Sequence, residues 1–554
     1  MDFAQIAIVI VIAAGFGFIA KTIKQPLLVG YLIAGIVVGA FGIISNTKDL
    51  KTLSQVGVTL LLFLLGLEMK LSELPTIGKP ALITGIGQIV FTSIIGYFLA
   101  LILGFDTLQA LYISVALTFS STIIMVKLLS EKKDLQSLYG RIAIGFLLVQ
   151  DFVAILILLF LAGISNGNAD LLTIFYTLAK ALFLFVVVWF LSKRMIPLIF
   201  ERYFTSSTEL LFIASIAWAL GFSSFVAGPL GFTLEVGGFL AGLALSNLPE
   251  HLQVATRAKP LRDFFLTIFF VVLGTELAME GEFVSILPEA LIFSAFVLIG
   301  NPLIVLILLG IMGYKKRTSF MAGLTVAQIS EFSLILMAIG LSLSHVTQAD
   351  VSLVIVVAVI TMTLSTYMIM YSDKIYVRLQ HLLSFFERAK HNQAEKFTKL
   401  SYELKDHCVI VGCDRSGHVI LSKLLRSYEK YVVVDFNPKI FDELSKEGVN
   451  ILFGDISDPE ILEAANVVRA KVIITTFGVL ADNLRILEYL RMKKSKAIFI
   501  AIAANIHEAR KLYNEGAYYV VVPEMLAGFH IKTIFKNGRF DIKKLDSLKS
   551  LAII

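Results

Sequence analysis

Leu147-Leu148-Val149-Gln150-Asp151-Phe152-Val153-Ala154-Ile155 sets one carboxylate, Asp151, inside an apolar run that extends about ten residues in each direction. An ionised carboxylate at bilayer depth costs several kcal/mol, so it faces a water-filled cavity or a partner. One intramembrane acid that can release a proton and then hold a cation is the least equipment that proton-coupled cation exchange needs. This stretch decides for a bundle of membrane helices and supplies the first candidate functional residue.

The rest of the chain fits such a bundle. Of 554 residues, 57% are hydrophobic and only 16% charged, with a mean hydropathy of +0.83. Repeated long apolar runs at that composition mark a polytopic membrane protein. Thirteen segments can be drawn, at 3–20, 27–44, 53–69, 80–104, 107–129, 139–163, 171–192, 208–228, 232–248, 262–279, 286–312, 318–343 and 350–372. Basic residues cluster in alternate loops, at Lys21 and Lys24, Lys70 and Lys79, Lys132, Lys133 and Arg141, Lys193, Arg194 and Arg202, Arg257 and Lys259, and Lys315-Lys316-Arg317. The opposite loops hold little beyond Lys48 and Lys51. The positive-inside rule then puts the N-terminus outside and the C-terminal part in the cytoplasm, which an odd number of spans allows. The net charge of +6 is accounted for by these loops, not by nucleic-acid binding. Met1-Asp2-Phe3 lacks a basic region and a cleavage site, so the N-terminus reads as the first span. Cys408 and Cys413 read as free thiols in a reducing cytosol, with neither a disulfide framework nor a metal site.

Two segments look interrupted: Ala116-Leu117-Thr118-Phe119-Ser120-Ser121-Thr122, and Gly323-Leu324-Thr325-Val326-Ala327-Gln328-Ile329-Ser330-Glu331-Phe332-Ser333. Their small hydroxyl residues can satisfy backbone groups freed where a membrane helix unwinds. Paired interruptions of opposite direction, in corresponding places of two halves, point to an inverted-repeat transporter, with segments 1–6 and 8–13 as the repeats. Glu331 is a second intramembrane acid. It is assigned, with Gln328 and Ser330, to balancing the partial positive charge of converging half-helix N-termini, and a second transport carboxylate is the alternative. Glu68 and Glu276 read as interfacial, and His251 and His345 as loop residues without transport chemistry.

Past residue 375 the pattern becomes that of a soluble α/β domain. Residues 1–375 form the transmembrane domain, 376–404 a helical linker, 405–525 a Rossmann-like domain and 526–554 a tail. The strand through Val411, the turn Gly412-Cys413-Asp414-Arg415-Ser416-Gly417, a helix, and the strand ending at Asp435 about twenty residues on form the dinucleotide-binding signature. Further strands at 450–455, 472–476, 497–501 and 519–522 complete a doubly wound parallel sheet. Asp414 stands where the middle glycine of the signature would let a pyrophosphate approach, and its charge would repel one. An adenine nucleotide held partly by Asp435 stays open, as does a domain that only dimerises.

These residues together resemble the Kef-type branch of the monovalent cation:proton antiporter-2 family. The likeness rests on Gln150-Asp151, the 117–122 hydroxyl cluster and Gln328-x-Ser330-Glu331-Phe332. Gly454-Asp455-Ile456-Ser457-Asp458-Pro459 resembles the regulatory potassium-conductance, or TrkA-N, domain that such transporters carry. The resemblance implies a homodimer in the plasma membrane of a prokaryote, with a rigid dimerisation domain and a mobile core that moves as an elevator. It implies Asp151 as the carboxylate shared by cation and proton, with oxygens of Gln150, Thr118, Ser120 or Ser121 completing the ion's shell. It also implies an adenine nucleotide or NAD(H) as regulator, at Gly412, Asp414, Arg415, Ser416, Gly417, Asp435 and Asp455. One titratable group per site favours electroneutral exchange, with K⁺ the first choice and Na⁺ the second. Asn301-Pro302 stands where many relatives place Lys or Arg. The loop expected at 251–260 lacks the acidic run of glutathione-gated members, so that gating is not expected here.

The rival from another class is a ligand-gated K⁺ channel with Val29-Gly30-Tyr31 as the nearest approach to a carbonyl filter. A tethered dehydrogenase lacks a second catalytic domain. The chain is therefore read as a transporter and not an enzyme.

Overall fold

The computed structural model describes residues 3–532 and 535–540, apart from 43–47, 69–77, 133, 136, 163–183, 185, 186, 189, 205, 206, 230, 231, 280–284, 387–403, 414, 425–429, 437, 457, 537 and 538. The chain divides into two units. One comprises Met1–Leu128, Ile142–Met312 and Ser319–Gln380; the other comprises Leu129–Arg141, Gly313–Thr318 and His381–Ile554.

The first unit is helical. Its helices are α1 (Phe3–Thr22), α2 (Leu27–Ala40), α3 (Lys48–Glu68), α4 (Lys79–Ile102), α5 (Thr107–Ala116), α6 (Thr122–Lys132), α7 (Leu138–Ala162) and α8 (Ile196–Tyr203). They continue with α9 (Thr208–Ala227), α10 (Leu234–Leu245), α11 (His251–Met279), α12 (Leu287–Ile311), α13 (Lys316–Leu324), α14 (Glu331–Ser342), α15 (Gln348–Met370) and α16 (Ser372–Leu383). Among the described residues six helices are long and apolar enough to cross a membrane, and five shorter apolar helices accompany them. The seventh expected segment, 171–192, falls mostly outside the described residues.

The polarity of α4 explains why such a helix settles in lipid. It exposes Ile83, Ile86, Val90 and Ile94 and buries Thr84, Gln88 and Thr92 on a stripe of period four. Hydrocarbon cannot satisfy those polar side chains, so they turn toward other helices.

The helices form two groups. In the first, α2 packs on α1 and α11, and α3 on α10 and α11. Glycines let these backbones meet: a Cβ on Gly35 of α2 would lie 2.2 Å from the Val271 carbonyl oxygen, and one on Gly242 of α10 would lie 1.9 Å from that of Phe63. In the second group, α4 packs on α5 and α12, and α14 on α5 and α15.

Both expected interruptions are present, between α5 and α6 and between α13 and α14. The segment 251–260 differs from expectation. It is the first part of α11, not a loop, and Pro260 is carried inside that helix. The residues before the proline, Leu252-Gln253-Val254-Ala255-Thr256-Arg257-Ala258-Lys259, include strong helix formers, which outweigh the one backbone donor a proline removes. His251 accordingly opens a helix and does not lie in a loop.

The second unit holds a parallel sheet of β1 (Cys408–Val411), β2 (Tyr431–Asp435), β3 (Ile451–Phe453), β4 (Val472–Thr475), β5 (Ile498–Ile502) and β6 (Tyr519–Val521). Their order is β3-β2-β1-β4-β5-β6, a doubly wound parallel sheet whose strand order reverses between β1 and β4. Helices α17 (Arg415–Leu424), α18 (Pro438–Lys446), α19 (Pro459–Ala464), α20 (Leu480–Met492) and α21 (Ile506–Asn514) connect the strands, and α22 (Pro523–Lys532) follows them. Two hydrophobic clusters belong to this unit, one including Val409, Val432, Ile473 and Phe499 and the other Ile410, Val433, Leu421 and Leu444. The expected tail includes a short antiparallel pair, Phe535–Lys536 with Arg539–Phe540.

Candidate functional site

Asp151 lies in the middle of α7 and is 8% exposed. Its Oδ2 accepts a hydrogen bond from Thr122 Oγ1 at 3.0 Å. Thr122 opens α6, so the carboxylate sits where unpaired backbone N–H groups and partial positive charge gather. Glu331 holds the corresponding place in the other interrupted segment, as the first residue of α14. Ser330 caps that helix, accepting from Phe332 N at 3.2 Å and donating to Glu331 Oε2 at 3.2 Å. The Glu331 carboxylate is near enough for its charge to act on Asp151. Two acids therefore stand at two half-helix N-termini.

The freed backbone of the interruptions is satisfied by side chains from several helices. Leu117 O accepts from Asn301 Nδ2 at 3.1 Å, and Thr118 O from Gln88 Nε2 at 3.2 Å. Ser121 O accepts from Gln328 Nε2 at 3.4 Å, Ala116 O from Ser333 Oγ at 2.5 Å, and Val326 O from Ser120 Oγ at 3.4 Å. Gln328 is itself fixed by Ser365, whose hydroxyl donates to Oε1 at 2.7 Å.

Gln150 joins this network. Its Oε1 accepts from Ser120 N at 3.3 Å and its Nε2 donates to Gln88 Oε1. Thr92 extends the chain, accepting from Gln88 Nε2 at 3.1 Å and donating to Asn301 Oδ1 at 2.9 Å. Of the hydroxyls named from sequence, Thr118 donates to Val115 O, Ser120 to Val326 O, and Ser121 accepts from Ile124 N at 3.4 Å. Thr122 is the hydroxyl that reaches Asp151.

Two residues that sequence reasoning passed over now matter, Gln88 and Thr92, and Asn301, noted from sequence only for the cation it replaces, joins them as a backbone partner. Gln88 and Thr92 carried a readable signal, polar residues one turn apart in an apolar span. Asn301 follows directly on a π turn at Phe296–Gly300 in α12, a distortion common at functional positions. It puts a neutral amide, not a cation, beside the first interruption.

A cavity of about 530 Å³ is lined by Lys51, Gln55, Glu235, Glu276, Ile335 and Ser342 among others, and Asp151 is not part of its wall. Lys51 Nζ pairs with Glu276 Oε1 at 2.6 Å. Glu276 also accepts from Gln348 Nε2 at 3.5 Å, so it is held by partners on α3 and α15. The side chain of Glu68 lies outside the described residues. His345 Nδ1 contacts Tyr112 Oη at 2.8 Å, and His251 Nδ1 contacts Leu248 O at 2.6 Å.

Val29-Gly30-Tyr31 lies within α2, where a Cβ on Gly30 would come 2.8 Å from Phe16 O. These carbonyls belong to a packed helix, so the channel reading loses its filter.

In the second unit the turn after β1 keeps the glycine logic of a nucleotide site. Gly412 has φ +84°, and a Cβ on Gly417 would meet Gly412 O at 2.2 Å. Asp435 Oδ2 accepts from Cys413 N at 2.7 Å, so this acid braces the turn from the end of β2. Asp455 follows β3 and is buried. Asp414 and the side chains of Arg415 and Ser416 lie outside the described residues. Cys408 and Cys413 are buried, and burial pushes the Cys408 thiol up to about 11, which leaves it unreactive at neutral pH.

Comparison with known proteins follows this division. Residues 7–370 match the family described as "Sodium/hydrogen exchanger, transmembrane", and residues 408–523 match the TrkA-N domain. YbaL of Escherichia coli (strain K12), provisionally named a cation/proton antiporter, is 28% identical over 527 residues, covering 93% of this chain and 94% of that protein. K(+) efflux antiporter 5 of Arabidopsis thaliana is 30% identical over 364 residues, covering 64% of this chain and 63% of that protein. The solved sodium proton antiporter MjNhaP1 of Methanocaldococcus jannaschii matches in fold with a TM-score of 0.50 at 14% identity, over 67% of this chain and 97% of that one. The chain belongs to the sodium/hydrogen exchanger family of multi-pass membrane antiporters and carries a TrkA-N domain behind its transmembrane part.

Proposed function

We propose that the protein exchanges a monovalent cation for a proton at Asp151, with K⁺ preferred, Na⁺ second, and no net charge moved. The observation that carries this reading is the buried Asp151 carboxylate held by Thr122 at the start of α6, beside an interrupted backbone. The partial positive charge at the start of α6 favours the deprotonated form of Asp151, which then binds the cation together with the polar groups around it. A proton later takes the cation's place, and because both compete for one carboxylate the exchange is obligatory. Asn301 supports the one-charge cycle, since a neutral amide there has no proton of its own to exchange. Names of relatives such as K(+) efflux antiporter 5 support K⁺.

The packing of the described helices in two groups supports an elevator motion, the group of α4, α5, α12, α14 and α15 moving against that of α1–α3, α10 and α11. The first group of helices then forms the homodimer. Positive-inside loops support an external N-terminus and a cytoplasmic TrkA-N domain in a prokaryotic plasma membrane. Gly412, Gly417, Asp435 and Asp455 fit an adenine nucleotide or NAD(H) as regulator.

Purified protein in liposomes with an internal pH dye and clamped voltage tests the reading. K⁺-dependent dequenching that disappears in Asp151→Asn is expected, with Na⁺ and Li⁺ weaker. Coupled exchange retained in Asp151→Asn refutes it, as does cation flux without proton movement.

A further inference from the structure

The second unit contains more than the TrkA-N fold. It takes in Leu129–Arg141, which links α6 to α7, and Gly313–Thr318, which links α12 to α13. The first segment ends one interrupted pair and leads into the helix of Asp151. The second leads into the other interrupted pair.

Both segments meet the same end of the sheet. The Arg141 guanidinium lies 5.4 Å from the centroid of the Phe436 ring. Tyr314 meets Phe453 edge-on with centroids 6.2 Å apart, and Phe453 in turn meets Phe441 at 5.6 Å. Phe436 directly follows Asp435, and Phe453 directly precedes Gly454 and Asp455. The contacts are thus one residue away from Asp435 and two from Asp455, both candidate nucleotide ligands.

Buried charges lie on the same surface. Asp134 is 1% exposed, accepts from Tyr139 Oη through Oδ2 and has Lys132 Nζ at 3.8 Å. Its Oδ1 is buried with no hydrogen-bond partner among the described residues. Asp482 on α20, 6% exposed, has Arg485 at 3.4 Å. Asp455, Asp134 and Arg317 all act electrostatically on Asp482. Burial first, and the Asp455 charge next, push the Asp482 carboxyl up to about 7, while Arg485 and Arg317 oppose them. Three carboxylates and two guanidiniums from both segments and from two βα units therefore form one cluster, buried except for the partly exposed Arg485, where losing one partner costs more than at a surface.

We propose that this surface is the control contact of the transporter: Arg317 and Asp134 on the two linking segments, clamped by Asp455, Asp482 and Arg485, let the TrkA-N domain set the rate at which the interrupted helices move. The proposal rests on the exchange reading above. The clamp shares Asp455 with the candidate nucleotide site, so a ligand there acts directly on it.

The test uses the full chain in liposomes carrying the pair Tyr314→Cys and Phe453→Cys, bridged by a short bis-maleimide. A cross-link is expected, its yield falling at least threefold when Arg317→Ala or Asp482→Asn is added and recovering with Arg317→Lys. Without the cysteine pair, Arg317→Ala and Asp482→Asn each change the K⁺ exchange rate at least threefold with the K⁺ KM within twofold. The double variant shows no further change, because both residues serve one contact. Absence of the cross-link, a yield indifferent to Arg317→Ala, or exchange rates unchanged in both variants overturns the proposal. Asp151→Asn separates the two readings: it abolishes exchange and leaves the cross-link intact. A normal, Arg317-dependent cross-link in a protein with no exchange at all counts against the transport reading and not against the contact.

Discussion

Replacing Asn301 by Ala tests the construction of the crossing, because this side chain has two defined partners and no exposure to solvent. Its Oδ1 accepts from Thr92 at 2.9 Å and its Nδ2 donates to Leu117 O at 3.1 Å. Truncation leaves the Leu117 carbonyl without this donor at a point where no helical N–H follows it, and leaves the Thr92 hydroxyl without this acceptor. A buried group stripped of its partner costs about 1–3 kcal/mol. Hydrogen bonds between membrane helices measure nearer 0.6 on average, because the alternative state also finds partners. Two lost bonds therefore predict a destabilisation of about 1–4 kcal/mol. The assay is thermal unfolding of the detergent-solubilised protein, paired with K⁺/H⁺ exchange in liposomes. A clear fall in Tm is expected, with exchange lowered as the interruption loses its fixed shape. Asn301→Asp keeps the acceptor for Thr92 but sets a carboxylate against Leu117 O, so it falls at least as far. A Tm unchanged in both variants refutes the assignment of Asn301 as a backbone partner.

Three further outcomes follow from named contacts. Thr122→Val removes the donor to Asp151 at constant volume and raises the cation KM roughly tenfold, whereas Thr122→Ser keeps it near the original; initial-rate titration with K⁺ decides. Gly242→Ala places a Cβ 1.9 Å from Phe63 O, a backbone atom that cannot step aside, so yield and Tm fall sharply, while Gly221→Ala, with open space around it, changes neither. Asp482 is raised to about 7 in the fold against about 3.9 in the unfolded chain, so its contribution to stability is full below the lower value and is lost as pH rises to the upper one. Asp482→Asn should flatten that decline, read as hydrogen exchange of Leu480–Met492 between pH 5 and 8.

The sequence exposed Asp151 because an acid in an apolar run is costly, and it exposed the two interruptions because clustered small hydroxyls have few other uses at that depth. It did not expose which hydroxyl would reach the carboxylate. Thr118, Ser120, Ser121 and Thr122 are equivalent as types, and only the path of the unwound backbone decides that three of them bond to main-chain groups. Gln88 and Asn301 are separated from Thr118 and Leu117 by 30 and 184 residues, so no local pattern could join them. The doubly wound sheet was legible because its strands alternate with helices at regular spacing. The extension of α11 back to His251 was not, since Pro260 reads as a boundary until tertiary packing carries a helix through it. Nor could periodicity reveal that Leu129–Arg141 and Gly313–Thr318 belong with the soluble domain, because those segments are short, charged and aperiodic.

The glycine crossings of α2 with α11 and of α3 with α10 have a consequence for how this family member can change over time. Where main chain touches main chain, the distance between two helices is set by peptide geometry, and no side chain remains there to be enlarged, trimmed or re-angled. Drift at neighbouring positions can alter the lipid-facing surface freely, yet the width of this half of the protein stays constant. It behaves as a bearing of fixed gauge. New ion preferences or working temperatures must therefore arise in the other helices, which meet through side chains and can be refitted one residue at a time.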